Sequence, residues 1–460
     1  MKLSRVVWLC LLSLPSAGYA QPISFTDAWQ QVLKVSDKLQ AQSQEVNRAK
    51  GEQEAGESLN FPSLDIRGNY IHLDKPIEFD LKELNSVISI PPSLGGIIAG
   101  IPPLPLSEQD IFSASLQAMW PIYTGGQITA AQGIHAAMVA EKQQELQLAT
   151  RDLFTLLVDR YYAVDVTLAL VNTQTDLVGS LAKHVDHALA LEREGQIAKV
   201  ERLNAQVALD NAKVNLGSAR RQHEMAVIAL ARMLQQSQVS TNSSLFVLPQ
   251  APSFAQLSQI TLSQHPALKL LEAKETQANG LIALEKGKYH PTVFLFGNYT
   301  LYEEDTLLTS ITPDWMVGVG VNVPLISRDG RSGKVEAAKS ALLQARYTKA
   351  QTKQDLSLLV DQSYRQLLQA EEEVTALDTS LELAIENLRL RDIAFNQGLS
   401  TSIDRVDAEL KLSAVKTQQL AARYRYVQAY ARLMAISGQL DEFIGRTIGR
   451  TQEQETNNAR

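Results

Sequence analysis

The sequence contains the same strand twice. Residues 61–70 read FPSLDIRGNY and residues 290–299 read HPTVFLFGNY. Both carry Pro, then Ser or Thr, an aliphatic residue, a second aliphatic two places on, and Gly-Asn-Tyr. The correspondence begins at Ser24-Phe25 against Ser253-Phe254 and keeps an offset of 229 through Tyr70 and Tyr299. Beyond that the offset falls to 202–203. LLVDRYY (156–162) faces LLVDQSY (358–364), and GQIAKVERLNAQ (195–206) faces GLSTSIDRVDAE (398–409). The drop from 229 to 203 places a 26-residue insertion in the first copy, between Tyr70 and Pro121. A chain made of two copies of one unit is constrained to a pseudo-symmetric architecture.

Each copy reads as helix, strand, strand, long helix, helix. The first helix covers residues 24–59 and its twin 253–288. In the long segment 127–194, Leu146, Ala149, Leu153, Leu157, Tyr161, Val164, Leu168 and Val171 recur in steps of three and four, one stripe of a helix. No proline interrupts the chain between Pro121 and Pro249 or after Pro324. About 67 helical residues at 1.5 Å each span roughly 100 Å. A helix of that length needs neighbours alongside it, as in a coiled coil. Its polar faces meet either bulk water or a water-filled lumen. The long helices, 127–194 and 333–396, end at Gly195 and Gly398, and further helices follow over 199–236 and 402–437.

The strands alternate cleanly. Ala114, Leu116, Ala118 and Trp120 oppose Ser113, Ser115, Gln117 and Met119, while Trp315, Val317, Val319, Val321 and Val323 oppose Met316, Gly318, Gly320 and Asn322. Val293, Leu295, Gly297, Tyr299 and Leu301 share a face in the third strand. The first is weaker, with Leu64, Ile66 and Tyr70 against Asp65, Arg67 and Asn69. Each is roughly ten residues, enough to cross a bilayer when tilted. Trp120, Tyr123, Tyr299, Tyr302 and Trp315 lie near strand ends, where an aromatic girdle sits. A soluble antiparallel sheet would alternate in the same way, but four strands beside such helices leave that sheet no evident core. A sheet in lipid has to close on itself, and membrane barrels start at about eight strands. Four strands therefore require several chains for one barrel. The opposite, lumen-side face is expected to be generically polar.

The chain opens with Lys2 and Arg5 ahead of an apolar run and small residues at Gly18 and Ala20, so residues 1–20 read as a signal peptide cleaved before Gln21. That removes Cys10, the only cysteine, and takes the charge from −7 (43 basic, 50 acidic) to −9 (41 basic, 50 acidic). The acidic balance argues against a nucleic-acid partner. No stretch supplies a transmembrane helix: VISIPPSLGGIIAGIPPLPL is broken by five prolines.

The residues resemble the TolC-type outer-membrane efflux proteins. The resemblance spans about residues 23–438 in both repeats. It rests on the P-S/T-aliphatic-x-aliphatic-x-G-N-Y opening of each hairpin, on VPLISRDGRSGKVEAAKSA and on AFNQGLSTSIDRVDAEL. It implies a mainly α chain with a transmembrane β part. Three copies would give four strands each to a homotrimeric 12-stranded barrel in the outer membrane of a Gram-negative cell, continued by a hollow periplasmic α-helical barrel. On this reading residues 21–236 form the first repeat, with hairpin 61–124 and extracellular loop 74–108. An equatorial linker covers 237–252, the second repeat 253–437 with hairpin 290–327, and an equatorial tail 438–460. The implied function is an exit duct for an inner-membrane pump and a periplasmic adaptor docking at tips Gly195 and Gly398, flanked by Arg202 and Arg405. The alternative is a periplasmic coiled-coil adaptor or scaffold without a pore.

The resemblance also implies a periplasmic gate at Asp404 and Asp407. The two are i,i+3 neighbours on one helix face, and threefold repetition would stack two carboxylate rings. The first copy carries Glu201 opposite Asp404 but Asn204 opposite Asp407. First-turn acids also favour a helix N-terminus on their own. Arg202 and Arg405 recur together and read as salt-bridge partners of nearby acids. No catalytic constellation, cofactor or metal is expected. His184 and His187 at i,i+3 fit a solvated helix face better than a metal site, and DGRSGK lacks the spacing of a phosphate loop.

Overall fold

The computed structural model describes residues 22–83, 91, 97–98, 100–303 and 312–447. The signal segment with Cys10, parts of the 74–108 loop and the end of the 438–460 tail lie outside them. The first copy contains α1 (Phe25–Val35), α2 (Asp37–Glu57), β1 (Ser63–His72), the short β2 (Glu78–Phe79) and β3 (Leu104–Pro105), β4 (Asp110–Tyr123), α3 (Gln127–Arg193) and α4 (Lys199–Leu234). The second contains α5 (Phe254–Gln264), α6 (Pro266–Gly287), β5 (Thr292–Glu303), β6 (Trp315–Asn322), α7 (Arg331–Asn396) and α8 (Ser402–Ser437).

The opening helix of each copy is two helices, not the single one expected. Ser36 adopts ψ 107° between α1 and α2, and its hydroxyl accepts from Leu39 N at 3.4 Å, capping the second piece. His265 takes the same extended backbone (ψ 132°) between α5 and α6. It precedes Pro266, whose ring disfavours a helical residue before it, and its Nδ1 accepts from Ala267 N at 3.2 Å. Different residues thus produce the same break in the two copies.

The chain forms two compact units. One comprises the described parts of 1–44, 144–269 and 350–460, and its core is aromatic. Phe25, Phe154, Tyr161, Tyr162, Tyr430 and Phe443 are fully buried there. Phe25 meets Phe154, Tyr161 and Phe443 edge-on, with ring centroids 5.3–5.7 Å apart, an arrangement worth about 0.5–1.5 kcal/mol per pair beyond burial. The segment over 237–252 has no regular structure beyond a single parallel bridge from Thr241 to Ile23, and side chains satisfy part of its backbone. Ser243 N donates to Tyr161 Oη at 3.1 Å, Leu245 N to Asp165 at 3.1 Å and Leu248 N to Tyr426 Oη at 3.2 Å.

The other unit, the described parts of 45–143 and 270–349, carries a four-stranded antiparallel sheet in the order β1-β4-β5-β6, with β1 and β6 at its edges, and the small pair β2-β3. Cross-strand pairing sorts its faces. Ile66–Leu116, Ala118–Gly297, Leu295–Val319 and Val293–Val321 lie opposite each other on the apolar face. Val317, Val319 and Val321 are 61–72% exposed, with nothing among the described residues covering them. The two register shifts in β4–β5 matter because an extra residue reverses the alternation. After Thr300 pairs Ser115, Tyr302 pairs Ala114, so Tyr302 and not Leu301 joins the apolar face. Tyr123 likewise pairs Val293, with Ile122 as the extra residue.

The opposite face is mixed in character. Its β1 side carries Asp65, Arg67 and Asn69, paired with Gln117, Ser115 and Ser113. Towards β6 it carries an apolar stretch, Phe294 opposite Gly320 and Phe296 opposite Gly318, bounded by Asn298 on one side and by Thr292 opposite Asn322 on the other.

Candidate functional site

The two tips are built alike. At the first, Gly195 adopts φ +74° beyond α3 and Gln196 N closes onto Leu191 O at 2.8 Å. At the second, Gly398 adopts φ +72° beyond α7 and Leu399 N closes onto Ala394 O at 2.8 Å. Both are glycine helix stops of the left-handed kind, a backbone that residues with a Cβ adopt at a cost.

The next helix starts differently in each. Ala198 offers α4 no side-chain cap. Thr401 caps α8 with a full capping box: Asp404 N donates to Thr401 Oγ1 at 3.2 Å and Thr401 N to Asp404 Oδ2 at 3.1 Å. The hydroxyls of Thr401 (2.7 Å) and Ser400 (3.1 Å) also donate to that carboxylate. These bonds hold Asp404 below the usual carboxylate range. Asp407 is exposed one turn further along α8. Glu201, from the first copy, caps the second: its Oε2 accepts from Ser402 N at 3.2 Å. Glu201 and Asp404 border one cavity of about 390 Å³, together with His187, Gln196, Phe395 and Leu399.

Both arginines are engaged within the chain. Arg202 Nε pairs with Glu192. Arg405 donates from Nε to Asp392 Oδ1 at 2.7 Å and lies 3.8 Å from Glu409, which also accepts from Ser180 Oγ at 2.7 Å. Beneath them Leu181, Leu209 and Val406 form a small apolar cluster.

His184 is not on a solvated face. It is 3% exposed, its Nε2 lies 2.7 Å from the hydroxyl of fully buried Ser402, and its ring packs edge-on against Phe395. Burial, reinforced by Arg405 and His187, pushes its pKa down to about 4. No cluster of metal-ligating side chains exists among the described residues. Ser402 and Glu409 had no signal in the sequence, and the spacing of His184 from His187 gave a misleading one, because the role of each is recognisable only once α3 and α8 lie together.

The five aromatic residues expected to form a girdle fall at the two ends of the sheet's apolar face. Trp120 and Tyr123 lie at one end, where Trp120 Nε1 donates to Asn60 O at 2.9 Å. Tyr299 pairs with Trp315 at the other, and Tyr302 stands 5.5 Å from the ring of Phe112. The tips and the girdle belong to different units.

The sequence matches the family described as "Outer membrane efflux protein" over residues 28–235 and 257–439. It is 25% identical over 181 residues to Nodulation protein T of Rhizobium leguminosarum bv. trifolii, covering 38% of this chain and 37% of that protein. It is 24% identical over 248 residues to the outer membrane efflux protein BepC of Brucella suis, covering 53% and 52%. The chain thus spans about half or less of the length of these curated relatives. Among solved structures, CusC superposes with a TM-score of 0.73 at 14% identity, covering 91% of this chain and 93% of that one. The match across both repeats, the shared fold and a sheet that presents an uncovered apolar face between two aromatic ends agree: the chain belongs to the outer membrane efflux protein family.

Proposed function

We propose that this protein is an outer-membrane exit duct. Three copies complete one barrel through edge strands β1 and β6, and substrates delivered by an inner-membrane pump and a periplasmic adaptor leave through it. The observation that carries the reading is the four-stranded sheet, with its uncovered apolar face and two edges left for another copy. Unpaired edge groups in hydrocarbon cost several kcal/mol each, which drives closure.

The adaptor docks at Gly195 and Gly398, where Arg202 and Arg405 stiffen the turns through their internal ion pairs. Asp404, Asp407 and Glu201 line the periplasmic entrance. The three hydrogen bonds to the Asp404 carboxylate support a fixed, ionised group there, and threefold repetition makes it cation-attracting. The test is single-channel conductance of detergent-purified protein in a planar bilayer beside an Asp404→Ala/Asp407→Ala variant. The duct and gate predict small cation-selective openings that grow and lose selectivity in the variant. Equal conductance would move the constriction elsewhere, and no conductance from either protein would remove the duct.

A further inference from the structure

The face of the sheet opposite the valine ladder divides in two. On β1 and the adjoining part of β4 it carries Asp65, Arg67, Ser115 and Gln117. On β5 and β6 it carries Phe294 and Phe296, with Pro121 and Met119 as their partners across β4. The two rings lie over the neighbouring strand, where glycines leave room for them. A Cβ at Gly320 would stand 2.3 Å from Phe294 Cζ, and one at Gly318 2.6 Å from Phe296 Cζ. The rings are 6.2 Å apart at 49° to one another.

An aromatic side chain held down on a glycine keeps a fixed orientation and offers its π-face outward. Two such faces beside Met119, which is 54% exposed, make an apolar patch on a wall that is otherwise polar. Nothing in the lipid-facing requirement asks for it, because the valine ladder already supplies that surface. Within the duct reading, on which this inference rests, this wall lines the lumen, and three copies present three patches.

We propose that the Phe294–Phe296 patch is a transient binding site for apolar aromatic solutes, aromatic cations above all, inside the membrane section of the duct. A cation over an aromatic face gains about 0.5–2 kcal/mol, and sulfur–aromatic contact from methionine adds to it. Such a site is strong enough to bias what passes and weak enough to release it.

The experiment uses the purified full-length protein in a planar bilayer carrying potassium current. Tetraphenylphosphonium is added on the extracellular side, with tetraethylammonium as the cation of equal charge and little apolar area. Wild type is expected to show block by tetraphenylphosphonium well below the concentration at which tetraethylammonium acts. Phe294→Ala/Phe296→Ala is expected to keep its potassium current and need roughly tenfold more tetraphenylphosphonium for the same block. Phe294→Tyr/Phe296→Tyr, which keeps both π-faces, is expected to block like wild type. Potassium current with equal block in wild type and the alanine variant would overturn the patch and leave the duct standing. Should the alanine variant fail to fold, wild type decides: indifference to which cation is added overturns the patch. Absence of any potassium current would overturn the duct, and the patch with it.

Discussion

Glu201 accepts a hydrogen bond from the backbone N–H of Ser402 at 3.2 Å, across 201 residues of sequence and from one copy of the repeat to the other. The N-terminus of α8 therefore receives two carboxylates, Asp404 from its own first turn and Glu201 from the start of α4. A cap of this kind is worth about 1 kcal/mol, helped by the helix dipole. Glu201→Ala is expected to open the second tip, seen as roughly fivefold faster hydrogen exchange of the amides that begin α8. Glu201→Gln, which keeps an acceptor and loses the charge, should fall between. Unchanged exchange in Glu201→Ala would show that the bond adds no stability.

In the proposed gate, Asp404 would set the pH range over which the entrance keeps its charge. Its pKa is depressed by the hydroxyl and amide of Thr401 and the hydroxyl of Ser400. A depressed carboxylate keeps its charge, and the stability that comes with it, above the ordinary value of 3.8, and loses both as pH falls through its still lower folded value. Cation selectivity is therefore expected to be the same at about pH 7 and pH 5. Thr401→Ala removes the first-named cause, so selectivity should fail at a higher pH in that variant. Reversal potentials in a salt gradient, taken across the acid range, measure both.

His184 gives a dependence of the same sign at higher pH. Unfolded, the imidazole takes a proton below about 6.5; buried, with Arg405 and His187 near it and Asp392 and the hydrogen bond to Ser402 opposing them, it waits until about 4. The stability is complete above 6.5 and is lost as the pH falls from 6.5 towards 4, because the unfolded chain binds the extra proton in that window. Between pH 7 and 5 this is about 2 kcal/mol at most. Exchange protection of the tip amides should fall over that interval in wild type and stay level in His184→Asn.

Much of this was legible in the sequence for identifiable reasons. The offset of 203 linking Gly195 to Gly398 placed both tips, since a glycine at a helix stop is a local requirement. Period-two alternation sorted the valine ladder of β6 from its glycines. The same alternation failed at Leu301 and Tyr302, because a bulge depends on the partner strand and leaves no mark in its own. Phe294 and Phe296 were visible in TVFLFGNY, but their meaning depends on Gly318 and Gly320 standing opposite. His184 looked like a surface histidine because nothing near it in sequence announces Ser402 or Phe395. Local rules were readable, and whatever depended on a second segment was not.

Tyr161 and Tyr162 are neighbours in sequence, both fully buried, with opposite expectations. The hydroxyl of Tyr161 donates to Ile23 O at 2.7 Å and accepts from Ser243 N at 3.1 Å, joining two stretches that lack regular structure. The hydroxyl of Tyr162 has no partner among the described residues. Tyr161→Phe leaves the Ser243 N–H unpaired, at about 1–3 kcal/mol for a group that water cannot reach, and leaves Ile23 O only its 3.4 Å bond from Asn242 N. Tyr162→Phe removes a polar atom that burial already penalises, so it is expected to be neutral or stabilising. Thermal unfolding of the detergent-solubilised protein, followed by circular dichroism, compares the two directly. Tyr161→Phe should lower the midpoint and Tyr162→Phe should hold or raise it. Equal losses would mean that ring packing against Phe25, and not the hydroxyl bridge, holds the 237–252 segment to the core.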